Sequence, residues 1–265
     1  MAKTQNELAF LRDMAVDGEW TRRFADLVDK HLDLSDAAEN LLYINAGTGG
    51  HALAIHEKYG VKTNIFATCE NEDILKIARD KAAALRSDVD FSMIRFEDNS
   101  FDAVLADASL IRPTEIEEFI ENVVRVARTS GDIAVFLPTA GSFGEVVSLL
   151  WEVLFNEGLG EHGAAAEKII TDMPTVSRLE AIAGGIGLVN IKTETAIEVF
   201  EYEKGAEFIT SPLVADFLLP LWTEMLDENE KEEIPEKLAQ LIDAEDASLT
   251  FRFSVKATLL TGEKA

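Results

Sequence analysis

The sequence predicts an α/β fold: a mainly parallel sheet finished by late strands of half-exposed or antiparallel character, preceded by helices and carrying a helical insert near its C-terminus. Three observations lead there. From Asn40 onward short apolar runs alternate with amphipathic helical stretches, a glycine turn joins the first such run to the first such helix, and two long late segments alternate polar with apolar residues. With 265 residues, 47% of them hydrophobic and 28% charged, the chain can bury a substantial core as one large domain or one domain with an appendage, and disorder is excluded.

Leu8, Leu11, Trp20, Phe24 and Leu27 recur at helical spacing, so residues 5–32 read as one or two amphipathic helices ending near LDLSD. LLYINA then reads as a strand, HALAIHEKYG as a helix, TNIFATC as a strand and EDILKIARDKAAAL as a helix. The same rhythm continues through VDFSMI, FDAVLADASLI, a helix from Glu115 to Thr129, and the strand GDIAVFLP introduced by a Ser-Gly turn. SFGEVVSLLWEVLFNEG is helical, and so is TVSRLEAIAGGIG, with Thr175 or Ser177 as its cap. Residues 189–203 and 248–261 carry the alternation of half-exposed or antiparallel strands. Between them, residues 206–246 are helical, first apolar (SPLVADFLLPLW) and then acidic (DENEKEEIPEK). The expected organisation is a helical prologue at 1–35, a core at 36–205 and 247–265, and an insert or lid at 206–246, with no internal repeat.

Charge narrows the partners. The 24 Lys+Arg against 49 Asp+Glu leave a formal −25, which repels phosphate backbones and anionic lipid surfaces, and no basic cluster is interleaved with aromatic residues. Nucleic acid and membrane are therefore not expected partners. The run Asp227 to Glu233 reads as a solvated helix start, its carboxylates favoured by the helix dipole. The single cysteine, Cys69, can form neither an internal disulfide nor a Cys-rich zinc site, as suits a reducing cytoplasm. The N-terminus lacks a continuous apolar region, and the longest apolar runs fall well short of the roughly 18–20 residues of a spanning helix. A soluble, unprocessed cytoplasmic protein is the expectation.

The glycine turn in LLYINAGTGGHALAI sits between strand and helix, where glycine lets a ligand approach the backbone and the first N–H groups of the helix face it. A tight turn with no ligand uses glycine equally well. Gly47, Gly49 and Ala52 also satisfy the dinucleotide spacing G-x-G-x-x-A, with Glu70 about 20 residues further on. A nicotinamide enzyme is thus a competing reading, weakened by the lack of a Tyr-x-x-x-Lys pair. No P-loop motif occurs.

The wider context resembles the class I S-adenosylmethionine-dependent methyltransferases over residues 36–203, with the final strand returning at 248–261. LLYINAGTGGHALAI is similar to their first motif, FATCENEDILKIARDKA to their second strand and its helix, FEDNSFDAVLADASLI to their fourth strand, and RVARTSGDIAVFLPTAGSFGE to their fifth. The resemblance implies a Rossmann-like sheet with an antiparallel last strand and S-adenosylmethionine as cofactor. It implies cofactor contacts at Asn45, Gly47, Thr48, Gly49, Cys69 and Glu70, with Glu97 or Asp98 near adenine. Departures are clear: Tyr43 and Asn45 stand where the family has an acid and a glycine, and Cys69 stands where its ribose-binding acid belongs, with Glu70 one residue late.

Methyl transfer from a sulfonium is an in-line displacement, so a positioned nucleophile and a base suffice. No catalytic triad is suggested: Ser109 and Ser142 lack a nucleophile elbow, and His31, His51, His56 and His162 show no metal spacing, so no metal is expected. His51 opens a helix beside the turn, where it reads as a solvated helix-start residue or a ligand contact. Substrate-side candidates lie at the carboxyl ends of strands: Asp107, as a base or a turn residue, with Ser109, Pro138, Thr139 and Ser142. Trp151, Phe143, Phe217 and Trp222 line an apolar pocket or fill core. The function implied is methyl transfer to a small molecule. The alternative is a cofactor-deficient fold serving as an interaction or assembly subunit, and the apolar face of the insert covers a pocket or meets a second copy or another protein.

Overall fold

The computed structural model describes residues 3–35, 38–245 and 250–265. It opens with α1 (Gln5–Leu11), where Thr4 and Glu7 form a reciprocal capping box. The helix runs on through a π-helical segment, Arg12–Thr21, into α2 (Arg22–His31). There follow β1 (Asn40–Ile44), α3 (Gly50–Tyr59), β2 (Asn64–Thr68), α4 (Glu72–Leu85), β3 (Asp90–Ser92) and β4 (Phe101–Asp107). After them come α5 (Ile116–Val126), β5 (Ala127–Thr139), α6 (Gly144–Asn156), α7 (Gly163–Thr171), α8 (Val176–Ile186) and β6 (Leu188–Tyr202). The chain ends with α9 (Gly205–Thr210), a π-helical segment Val214–Leu218, α10 (Leu219–Trp222), α11 (Glu228–Glu245) and β7 (Phe251–Lys264).

The strands form a seven-stranded sheet in the order β3-β2-β1-β4-β5-β7-β6. β1 pairs in parallel with β2 and β4, as do β2 with β3 and β4 with β5. β7 runs the other way. Its Lys256 meets Thr139 at the end of β5, whereas its Lys264 donates to the carbonyl of Ala127 at the start of β5 (2.8 Å). The expected Rossmann-like sheet with an antiparallel last strand is therefore present.

The chain divides into two compact units, Met1–Leu137 with Thr175–Ala196 and Ala257–Ala265, and Pro138–Pro174 with Ile197–Lys256. The insert expected at 206–246 thus falls inside a larger second unit that also holds α6 and α7. The expected boundaries near 36 and 247 lie on residues outside the described ones.

In the first unit, central strands covered on both faces explain the apolar runs LLYI of β1 and AVLA of β4. On one face Leu42, Ile44, Val104 and Val135 pack with Ile120 and Val123 of α5 and Leu179 of α8. On the other, the rings of Trp20 and Phe24 of the prologue meet at a tilt (5.2 Å), and Phe24 stacks on Phe136 of β5 (5.8 Å). Both rings are fully buried, so Phe24→Ala would cost about 3–5 kcal/mol.

In the second unit Phe143, Phe208, Trp222 and Phe253 form a buried aromatic cluster, Phe143 and Trp222 lying 5.4 Å apart. Two of the aromatic residues expected near a pocket are therefore core, while Trp151 stacks on Phe155 with nearly half its surface exposed. Asp227 accepts from the N–H groups of Asn229 and Glu230 (both 2.9 Å), which makes it the cap of the acidic helix α11.

Three expectations are corrected. The helix expected to reach Thr129 stops at Val126, because the N–H groups of Asn99 and Ser100 take the carbonyls of Arg125 and Val126 and Ala127 already pairs with Phe101. The Ser-Gly turn expected before the fifth strand is an irregularity within it, with Ser130 left-handed (φ 61°) where the register slips between Phe101 and Ala103. Helix α7, absent from the sequence reading, follows α6 after a short 3-10 turn. Of the two cap candidates for α8, Thr175 is the cap, accepting from Arg178 N–H (3.1 Å).

Candidate functional site

The carboxyl ends of β1, β2 and β4 meet at Asn45. Its backbone is left-handed (φ 57°), a conformation asparagine tolerates better than most residues. Its N–H donates to the Thr68 hydroxyl and its amide to the Asp107 carbonyl, both at 3.2 Å. One residue thus ties three strand ends together. The turn then needs two glycines with positive φ, Gly47 (56°) and Gly49 (84°). A Cβ on Gly49 would fall 2.6 Å from the Phe91 ring, and one on Gly47 would fall 2.9 Å from Asp17 Oδ1. The second contact reveals what lies against the turn: the π-helical segment of the prologue.

Thr48, fully buried, donates its N–H to Asp17 Oδ2 (3.1 Å), and its hydroxyl lies 2.5 Å from Asp17 Oδ2 and 2.6 Å from Asp13 Oδ1. The Lys81 ammonium bonds the same hydroxyl (2.9 Å) and pairs with Asp13. Arg12 donates a terminal nitrogen to Glu70 Oε1 at 2.5 Å. Two buried atoms of this network, Arg12 Nε and Asp17 Oδ1, have no hydrogen-bond partner among the described residues. Burial raises the Asp17 carboxyl above the usual carboxylate range, against the pull of Thr48, Arg12 and Lys81.

Asp107, also buried, accepts the Ser109 N–H at 2.7 Å. Burial pushes its pKa up to about 7, with the Ser109 hydrogen bonds and Arg12 pulling down and Glu70 adding to the rise. Ser109 in turn accepts the Trp20 indole N–H (2.9 Å). Beneath the turn, Tyr43 is fully buried with its hydroxyl 2.9 Å from His51 Nδ1, and burial first, then Asp107 and Asp17, drives the phenol well above its usual value. His51 Nε2 lies 3.5 Å from Asp29, whose carboxyl is held low by that imidazole. Cys69 is buried, its thiol pushed up to about 12 by burial and then by Glu70, so at neutral pH it is no substitute for a carboxylate.

Asn45, Gly47, Thr48, Gly49, Cys69, Glu70 and Asp107 are therefore gathered at one edge of the sheet, whereas Glu97 and Asp98 are not. Between the end of β3 and the start of β4 the chain must run back along the strands. By Asp98 it has reached the far edge, three residues before Phe101 pairs with the first residue of β5, and Asp98 is bound to Arg125 (2.5 Å). A cavity of about 560 Å³ opens on the α5 face, lined by Ile44, Thr68, Met93, Ile94 and Asn122 among others. Among the described residues no group of His, Cys, Asp and Glu could hold a metal ion, and no helix is long and apolar enough to cross a membrane.

Sequence reasoning missed Arg12, Asp13, Asp17 and Lys81. Their signal was present: Asp13 and Asp17 continue the stripe of Val16, Trp20 and Phe24, so charges lie on the face that the apolar spacing assigns to the interior.

The family model described as "Methyltransferase domain" matches residues 42–135, which hold the glycine turn, Glu70 and Asp107. Over those residues the chain resembles a methyltransferase domain. The fold around it matches solved structures along nearly its whole length. The YcgJ protein from Bacillus subtilis is 14% identical with a TM-score of 0.58, the match covering 92% of this chain and 98% of that one. Phosphoethanolamine N-methyltransferase 2 from Haemonchus contortus, solved with phosphomonomethylethanolamine and S-adenosylhomocysteine, is 15% identical with a TM-score of 0.55, covering 98% of this chain and 58% of that one. No curated protein sequence matches the chain. The match runs from Leu42 to Val135, so the prologue segment lying against the glycine turn is outside the matched residues.

Proposed function

We propose that the protein transfers the methyl group of S-adenosylmethionine to a small-molecule acceptor. The observation that carries this reading is the position of the glycine turn: within the methyltransferase domain, it opens at the carboxyl edge of the sheet between Glu70 and the buried Asp107. The residues present fit the cofactor, because the bare buried atoms Asp17 Oδ1 and Arg12 Nε face Gly47, where a side chain would obstruct them. Glu70, on the turn after β2, would take the ribose hydroxyls in place of Cys69.

When bound, the sulfonium supplies an electrophilic methyl that needs no covalent enzyme intermediate. The protein's part is placement and proton removal. Asp107 would act as the base: held near pH 7 by burial and fixed by the Ser109 N–H, it can take a proton from an acceptor hydroxyl or ammonium. Burial of Trp20 and Ser109 beside it excludes water from that edge. Small-molecule acceptors are favoured over nucleic acid by the −25 formal charge. Phosphoethanolamine N-methyltransferase 2 from Haemonchus contortus, a neighbour in fold, is solved with a small molecule of this kind, phosphomonomethylethanolamine.

A cytoplasmic location remains part of this proposal, as does a protein partner or second copy at the insert. A second reading, a cofactor-free interaction subunit, draws on Tyr43, whose ring fills the end of β1 and whose hydroxyl is committed to His51. Calorimetric titration with S-adenosylmethionine and S-adenosylhomocysteine separates the two. Saturable binding, with a melting temperature raised by the ligand, is expected; a flat titration at millimolar concentration would leave only the second reading.

A further inference from the structure

We propose that Arg12 and Asp17, both from the π-helical segment of the prologue, are the receptor for the amino-acid end of the cofactor, Asp17 Oδ1 taking the α-ammonium and Arg12 Nε the α-carboxylate. The inference rests on the methyl-donor reading above. Each side chain is already half used. Asp17 spends Oδ2 on the Thr48 N–H and hydroxyl, and Arg12 spends a terminal nitrogen on Glu70. What is left over points to one place: Asp17 Oδ1 lies 2.9 Å, and Arg12 Nε 3.5 Å, from the position that a Cβ on Gly47 would occupy. Both atoms are buried and unpartnered among the described residues.

An acceptor with negative charge and a donor with positive charge, bare and converging over one glycine, are complementary to a zwitterion rather than to a simple anion or cation. Buried polar groups are nearly always bonded, so a pair of exceptions at one spot indicates the groups a ligand brings. The strand beneath supplies no alternative carboxylate, because β1 (NLLYI) contains no acidic residue and the hydroxyl of Tyr43 is engaged by His51. Asp13 and Lys81 also bond the Thr48 hydroxyl; of the two Asp17 oxygens near the glycine, Oδ2 (3.4 Å from the same Cβ position) is the one bonded to Thr48, and Oδ1 is the nearer one and bare. A π-helical stretch inside an α-helix, which widens the turn locally, occurs often at functional positions and here carries both residues.

The test is titration calorimetry on the full chain with S-adenosylhomocysteine and with 5′-methylthioadenosine, which has the same nucleoside but no amino-acid end. Asp17→Asn keeps an acceptor for Thr48 and removes the charge, while Arg12→Lys keeps a cation for Glu70 and removes Nε. Circular dichroism melts verify that each variant is folded, and either variant alone suffices. The expected result is weaker S-adenosylhomocysteine binding by about 10- to 100-fold in each variant, with 5′-methylthioadenosine affinity unchanged. Equal loss for both ligands, no loss, or tighter binding in the variants would overturn the proposal, the last by making the pair a plug over the turn. If wild-type protein binds 5′-methylthioadenosine as tightly as S-adenosylhomocysteine, this inference fails and the methyl-donor reading stands. If it binds neither, both fail.

Discussion

Asp107→Asn is the substitution whose consequence follows most directly from the structure. The side chain is buried against the Ser109 N–H, and its pKa is raised from an ordinary 3.8 to about 7. Between those values the unfolded chain has lost the proton while the folded chain keeps it. The folded state then binds more protons, so this group's contribution to stability is complete below pH 4, falls as pH rises, and is gone above about pH 7. The slope inside the window is about 1.4 kcal/mol per pH unit, which over about three units amounts to roughly 4 kcal/mol. Asparagine keeps the shape and the acceptor for Ser109 but cannot ionise. Urea denaturation followed by circular dichroism, from pH 4 to pH 8 on both proteins, reads the difference directly. Other carboxyls with raised values, Asp17 and Asp132, cancel in the subtraction. The variant should gain on wild type steadily across the window and then hold level. Parallel stability curves would mean that Asp107 is ionised in the folded protein at pH 5, and the proton account given for this site would be wrong.

The remaining expectations are simpler. Gly49→Ala forces a side chain into a left-handed position 2.6 Å from the Phe91 ring, and a thermal melt should register a loss of about 2–4 kcal/mol; a change under about 0.5 kcal/mol would mean the turn is looser than described. Trp20→Phe deletes the indole donor to Ser109 while keeping most of the packing, so chemical denaturation should give about 1–3 kcal/mol, and a neutral result would place that hydrogen bond elsewhere. The Cys69 thiol, buried and pushed up to about 12, should react with a disulfide reagent at pH 8 far more slowly in the native protein than in urea, and equal rates would contradict its burial.

What the sequence discloses and what it hides divide along a physical line. The strand–turn–helix rhythm is legible because β1 and β4, covered on both faces, must be apolar along their middles, and because the left-handed positions at Gly47 and Gly49 leave few other residues possible. Asp107 is legible for a related reason, since the end of a parallel strand is a place the topology itself brings to a ligand. The end of α5 is not, because Val126 and Ala127 suit helix and strand alike, and the choice falls to the distant N–H groups of Asn99 and Ser100. The position of Glu97 and Asp98, away from the glycine turn, was not legible: proximity to β3 in sequence says nothing of which edge a returning loop has reached.

The prologue is the most instructive case. Asp13 and Asp17 lie on the same stripe as Trp20 and Phe24, and a charge on a buried stripe is costly unless something compensates it. Lys81, Thr48 and the turn N–H provide that compensation for Asp13 and for one oxygen of Asp17, from residues more than thirty positions away. No periodicity in the first 35 residues could identify those partners. The same stripe could, however, have announced that this helix lies on something polar, and in an α/β protein the polar ground at a strand edge is the glycine turn. Strand β1 and the charged prologue then meet at the same turn: Tyr43 on β1 is bonded to His51, the carboxylate facing the turn comes from Asp17, and a substitution at either position should be read with the other in view.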